Sequence, residues 1–207
     1  MLRYGIYGGA FDPIHLGHLL LAENCLQQAN LDRIIFVPTG SSPHSSGKED
    51  YHASAEDRYN MLEAALLGYD EFLISRFEID RPEKSYTVET LKYFHRIFAL
   101  TEPALFLILG ADMFNNLPNW REVREICELA LPLAAERPDM PLPYFAALSG
   151  IVPPERLDEI RQAAVQMPQI GISSTQIRQR IQAGGSVRFQ IPHSVEAYIA
   201  AHGIYVK

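Results

Sequence analysis

The chain has 207 residues, 47% apolar and 21% charged, an ordinary globular balance that suits one domain, residues 1–207, with a core needing neither disulfides nor structural metal. Its net charge of −7 argues against a broad nucleic-acid surface but leaves room for one local anion site. No apolar run approaches the roughly 18 residues of a membrane span and no secretory leader opens the chain, so no membrane partner is expected and the expected location is cytoplasmic.

In chain order, Arg3-Tyr4-Gly5-Ile6-Tyr7 reads as a first strand ending at Gly8-Gly9. Leu19, Leu20, Ala22, Cys25, Leu26 and Ala29 then mark one face of a helix. Arg33 to Val37 is a second strand, stopped by Pro38. The stretch from Thr39 to His52 is a long polar loop, either a lid or simply mobile. Ser54 caps a helix that opens with Glu56 and Asp57 and continues through Met61, Leu62, Ala65 and Leu66. Glu71 to Ile79 reads as a strand and Val88 to Leu100 as a helix. Ala104 to Leu109 is an almost unbroken apolar strand, the pattern of a strand buried on both faces in a parallel sheet. Trp120 to Leu129 has amphipathic spacing, and Leu131 to Gln169 carries no readable motif. Helices are expected over Pro154–Val165, Ser174–Ala183 and Pro192–Ala201. Cys25 and Cys127 lie far apart without ligand spacing and read as core thiols of a reducing compartment. Strands alternating with helices imply an α/β fold with an open, mainly parallel sheet, right-handed crossovers and a helical C-terminal portion.

The chemistry concentrates in Gly8-Gly9-Ala10-Phe11-Asp12-Pro13-Ile14-His15-Leu16-Gly17-His18, at the first strand-to-helix junction. Ligands of open α/β sheets bind at such carboxyl ends. Glycines there admit close backbone approach, and a helix N-terminus favours phosphate. His15 and His18, three apart, share one face and suit donation to phosphoryl oxygens. A lone HxxH would describe only a tight turn with a capping and a surface histidine; the whole string says more. Downstream, Ile172-Ser173-Ser174-Thr175-Gln176-Ile177-Arg178 puts capping hydroxyls at a helix start with Arg178 on its early face, a second anion site.

These two strings resemble the nucleotidyltransferase superfamily marked by HxGH and I-S-S-T-x-I-R. The form G-G-x-F-D-P-x-H-x-G-H is similar to that of the bacterial nicotinate-nucleotide adenylyltransferases. Pro38 to His44 resembles that group's P-x-x-x-x-P-H segment, although Ser45 stands where a lysine is usual and the nearest lysine is Lys48. Ser85-Tyr86-Thr87 matches its S-Y-T, Gly110-Ala111-Asp112 its strand end, and Trp120 its ring-stacking tryptophan. The resemblance implies a Rossmann-like single nucleotidyltransferase domain that transfers the adenylyl group of ATP to nicotinate mononucleotide, releasing pyrophosphate in NAD biosynthesis. It implies catalytic roles for His15, His18 and Arg178. ATP and its phosphates would meet Gly8, Gly9, Phe11, His44, Ser173, Ser174 and Thr175; the pyridine mononucleotide would meet Ser85, Tyr86, Thr87, Asp112 and Trp120. Mg²⁺ would be carried with ATP, with no protein metal cage. A homo-oligomer is compatible with the sequence, which does not fix the copy number. Other acceptors, such as nicotinamide mononucleotide, phosphopantetheine or a vitamin phosphate, are the nearest rivals. A catalytically idle nucleotide-binding module would be expected to lose His15, His18 or Arg178, and a GxGxxG oxidoreductase is excluded by the first turn.

Overall fold

Alternating apolar runs and helical stripes produce six strands: β1 (Arg3–Gly9), β2 (Arg33–Pro38), β3 (Phe72–Ile74), β4 (Ala104–Gly110), β5 (Leu131–Glu136) and β6 (Val165–Gln166). The computed structural model describes residues 2–40, 51–98, 104–136 and 143–206. Among these the strands form one sheet in the order β3-β2-β1-β4-β5-β6. β4 lies parallel to β1 and β5, with Gly5 opposite Phe106 and Ile108 opposite Leu133, and β5 lies parallel to β6. The order reverses at β1, so the turn leaving its carboxyl end occupies the position where open α/β sheets bind ligands. The helices are α1 (Leu16–Gln28), α2 (Ala55–Leu66), α3 (Thr87–Ile97), α4 (Ala111–Asn116), α5 (Val123–Leu129), α6 (Pro154–Gln162), α7 (Ser174–Gln182) and α8 (His193–His202). Among the described residues no helix is long and apolar enough to cross a membrane.

The chain divides into two compact units. One holds Met1–Tyr7, Leu21–Ile35 and Tyr86–Gln169. Its centre is β4, where Leu105 through Leu109 are all buried. Gly5 leaves room for the side chains of Ile108 and Leu31, whose Cδ1 atoms would each stand 2.9 Å from an added Cβ and would have to shift. Lys92 ties α3 to α5 through Glu122 and Glu125, and the His95 ring lies 2.7 Å from the Leu129 carbonyl. The other unit holds Gly8–Leu20, Phe36–Ser85 and Ile170–Lys207. Its core gathers Phe11, Ile14, Phe36, Met61, Ile177 and Val195. Ser54 caps α2 as expected, accepting from the Asp57 amide. α2 joins α8 through Ser194 to the Ala64 carbonyl, and through Asn60, Tyr198 and Asp57 in a chain of hydrogen bonds.

Three elements differ from the sequence reading. The strand expected over Glu71–Ile79 contracts to Phe72–Ile74, because the chain turns: Asp80 N–H donates to the Arg76 carbonyl while Arg76 grips the Asp80 and Glu56 carboxylates. The segment from Leu131 contains a central strand, β5, hidden by Pro132, which has no N–H to offer a ladder. Val165 leaves the expected helix to pair with Ala135.

Cys25 and Cys127 are unpaired and buried, as expected of core thiols. Burial pushes their pKa from the ordinary 9.0 up to about 12 and about 11. A thiol reagent at pH 8 is therefore expected to label neither until the protein unfolds; labelling that keeps pace with free cysteine would contradict the burial. Between 9.0 and these raised values an unfolded chain releases protons that the folded chain keeps, so unfolding free energy falls as pH rises through that window.

Candidate active site

β1 ends in Gly8-Gly9; Gly8 is exposed, and a Cβ added there would meet nothing within 4 Å. Gly9 is different: its Cβ would press to 3.0 Å on the Phe11 ring. Phe11 itself has φ +49, an uncommon left-handed conformation for an aromatic residue, and its ring is buried beside Phe36. That ring meets the His18 imidazole edge-on, with centroids 5.2 Å apart. The His15 and His18 rings stack at 3.6 Å and 18°. The backbone N–H of each donates to Nδ1 of the other at 3.3 Å. An Nδ1 that accepts assigns the ring proton to Nε2, so each imidazole presents a donor suited to phosphoryl oxygen. His15 is buried and His18 half-buried. The α1 amides are less available than the sequence suggests, since Leu16 N–H donates to the Gln190 carbonyl and His18 and Leu19 N–H to that of His15.

Asp12 organises the turn. Its carboxylate is 3% exposed and accepts from the amides of His52 (2.8 Å) and Ala53 (3.1 Å) and from the Tyr205 hydroxyl (2.6 Å). Arg178, on α7, donates Nη1 to the Asp12 carbonyl at 2.6 Å and Nη2 to Thr175 Oγ1 at 3.3 Å. Ser174 Oγ donates to the Pro13 carbonyl at 3.0 Å, and Ser173 Oγ caps α7 through the Gln176 amide. The two sequence motifs, more than 150 residues apart, are thereby joined by direct hydrogen bonds. The Ser174 and Thr175 amides precede the first helical donor, Ile177, and so open a helix whose N-terminus favours an anion.

Arg58 was not singled out in the sequence. It is 1% exposed and donates to the carbonyls of Ala10 and Thr39, both at 2.8 Å, with its guanidinium 4.1 Å from the Tyr51 ring centroid. Desolvation pulls its pKa below the ordinary arginine value. Its only sequence signal is a cation among the buried positions of α2, where Met61, Leu62 and Ala65 set the inward face.

His44, Ser45 and Lys48 lie outside the described residues. Ser85 falls in the unit that holds the histidines; Tyr86, Thr87, Asp112 and Trp120 fall in the other. α3 starts at Thr87 with Tyr86 as its uncapped N-cap residue, so Ser85 does not serve as the cap. Ser85 Oγ and Trp120 Nε1 are both buried without a hydrogen-bond partner, a costly condition. Trp120 closes a short 3-10 turn, Leu117–Asn119, ahead of α5 rather than starting a helix. Asp112 is exposed in the first turn of α4. Among the described residues no group of three or more His, Cys, Asp or Glu side chains gathers to hold a metal.

A model of the family described as cytidylyltransferase-like matches residues 6–180. A protein of Thermus thermophilus described as a probable nicotinate-nucleotide adenylyltransferase is 41% identical over 99% of this chain and 100% of its own length. A second of the same description, from Roseiflexus castenholzii, is 42% identical over 98% of each chain. The solved Plasmodium falciparum nicotinic acid mononucleotide adenylyltransferase complexed with NaAD superposes with TM-score 0.73, covering 99% of this chain and 98% of that one. At 18% identity this last likeness speaks to the fold alone.

Arg58→Met leaves the Ala10 and Thr39 carbonyls without their charged donor and is expected to cost about 3 kcal/mol of unfolding free energy in urea. Stability equal to the parent would show that the guanidinium does not brace the turn.

Proposed function

The chain belongs to the cytidylyltransferase-like family, and from that premise we propose that it transfers the adenylyl group of ATP to nicotinate mononucleotide, forming nicotinate adenine dinucleotide and pyrophosphate. Its full-length identity to proteins described as probable nicotinate-nucleotide adenylyltransferases supports this reading. The observation that carries it is the stacked His15–His18 pair on a turn to which Arg178 is hydrogen-bonded.

The phosphate monoester of the acceptor is already a nucleophile at neutral pH. It attacks the α-phosphorus of ATP in line, a P–O bond forms, and pyrophosphate leaves with the electron pair of the bond broken. The protein's work is to bring two anions together and stabilise the charge that spreads over equatorial and leaving oxygens. His18 and His15 donate through Nε2, and Arg178 with the opening amides of α7 holds phosphate charge. Ser173 and Ser174 fix α7 against the turn, Thr175 steadies Arg178, Gly8 and Gly9 let the nucleotide approach, and Phe11 backs the His18 ring. His44 contributes a further phosphate contact. Mg²⁺ arrives as part of the substrate, on ATP phosphate oxygens and water.

For the acceptor, Trp120 stacks on the pyridine ring and the Ser85-Tyr86-Thr87 donors take its carboxylate, with Asp112 on ribose hydroxyls. The unpartnered Ser85 Oγ supports this assignment, because a carboxylate offers acceptors alone while a carboxamide sets an NH₂ against it. Residues 1–207 act as one nucleotidyltransferase domain, since the family match runs through both units. The protein works in the cytoplasm, without nucleic-acid or membrane partners, and a homo-oligomer is compatible with this role.

Pyrophosphate release from ATP and Mg²⁺ with nicotinate and nicotinamide mononucleotides in parallel tests the reading. A strong kcat/KM preference for the nicotinate form is expected. Equal use would remove the carboxylate site, and release with neither would overturn the reaction. His18→Ala is expected to stay folded and lose roughly 10²–10³-fold in kcat, the usual cost of one donor to a developing oxyanion. Near-parental turnover would take His18 out of the chemistry.

A further inference from the structure

Tyr205 follows α8 and sits far in sequence from every motif above, yet it reaches their centre. It is 7% exposed and adopts φ +64, a left-handed conformation uncommon for an aromatic residue. Its hydroxyl donates to Asp12 Oδ1 at 2.6 Å. Burial and the neighbouring carboxylate raise its pKa, so it remains a proton donor throughout the neutral range.

Asp12 Oδ2 is 4.0 Å from Arg178 Nη1, a distance short of a hydrogen bond, while that same nitrogen is engaged by the Asp12 carbonyl. A buried carboxylate so close to a guanidinium is drawn to close on it. Three donors oppose this by holding the carboxylate in place: the His52 and Ala53 amides and the Tyr205 hydroxyl. The two amides belong to the backbone leading into α2, where the His52 ring also stands 3.6 Å from Asp12 Oδ2; the hydroxyl is the one side-chain hydrogen-bond donor among the three.

Resting on the adenylyl-transfer reading above, we propose that Tyr205 is a positioning residue for the ATP phosphates: by holding the Asp12 carboxylate it keeps Arg178 available to phosphate instead of letting it close into an internal ion pair. Tyr205 touches no substrate in this scheme. It acts through Asp12, and its removal therefore weakens the ATP side of the site selectively.

The test compares Tyr205→Phe, which removes only the hydroxyl, Tyr205→His, which keeps a ring with a donor, and Ile199→Val, a buried change in α8 as a control for lost packing. Binding of the non-reacting analogue α,β-methylene-ATP with Mg²⁺ is read by calorimetry, and KM for ATP and for nicotinate mononucleotide by pyrophosphate release. Tyr205→Phe is expected to raise the analogue's Kd and the KM for ATP about tenfold, the scale of one hydrogen bond to a charged group, with KM for the acceptor unchanged. Tyr205→His should fall between Tyr205→Phe and the parent, and Ile199→Val should lower Tm without moving Kd. Unchanged Kd in folded Tyr205→Phe, or an equal rise in Ile199→Val, overturns the proposal. Should Tyr205→Phe fail to fold, Tyr205→His against Ile199→Val decides by the same Kd criterion. A parent protein that binds the analogue but releases no pyrophosphate with nicotinate mononucleotide refutes the reaction while the Kd comparison still judges Tyr205. A parent that does not bind the analogue overturns both.

Discussion

A carboxylate removed from water is tolerated only when donors replace the water it has lost, and Asp12 obtains them from separate parts of the chain. That requirement shapes the site. The amides before α2, the hydroxyl after α8 and, through the Asp12 carbonyl, the guanidinium of α7 all converge on one residue of the turn after β1. Arg58 ties the same turn to the end of β2 by donating to the carbonyls of Ala10 and Thr39. The histidines that follow inherit a fixed backbone, and their stacked rings are braced by each other's amides and by the Phe11 ring.

Much of this was legible in the residues. The α/β alternation, the buried character of β4 and the Ser54 cap follow from periodicity and capping chemistry, which depend on neighbours in sequence. The strings Gly8–His18 and Ile172–Arg178 were legible for the same reason, since each is short and has local geometry. Asp12 was legible only as a turn former, because its partners at 52, 53, 178 and 205 share no local pattern with it. Arg58 and Tyr205 escaped altogether: a buried arginine looks like any surface cation until its carbonyls are known. β5 escaped because Pro132 contradicts the usual grammar of a central strand. Val165 was absorbed into a helix because a two-residue strand has no period to read.

Two buried polar atoms illustrate a different relation between sequence and structure. Ser85 and Trp120 each bury a donor that the protein does not satisfy. Natural proteins keep few such atoms, and an unsatisfied donor lowers stability in proportion to its desolvation. Each atom has exchanged water for an environment that returns no acceptor, so each lowers the stability of the element that carries it.

The hydrogen bond from Tyr205 to Asp12 spans 193 residues, and that from Arg178 to the Asp12 carbonyl spans 166. Closing loops of that length carries an entropic cost that local contacts cannot repay in advance, so such pairings form late in folding. During synthesis a nascent chain can complete α1 and its histidine pair long before α7 and residue 205 have left the ribosome. The turn after β1 therefore reaches its final form only as its most distant segment arrives, and a partly made chain displays the motif without the contacts that fix it.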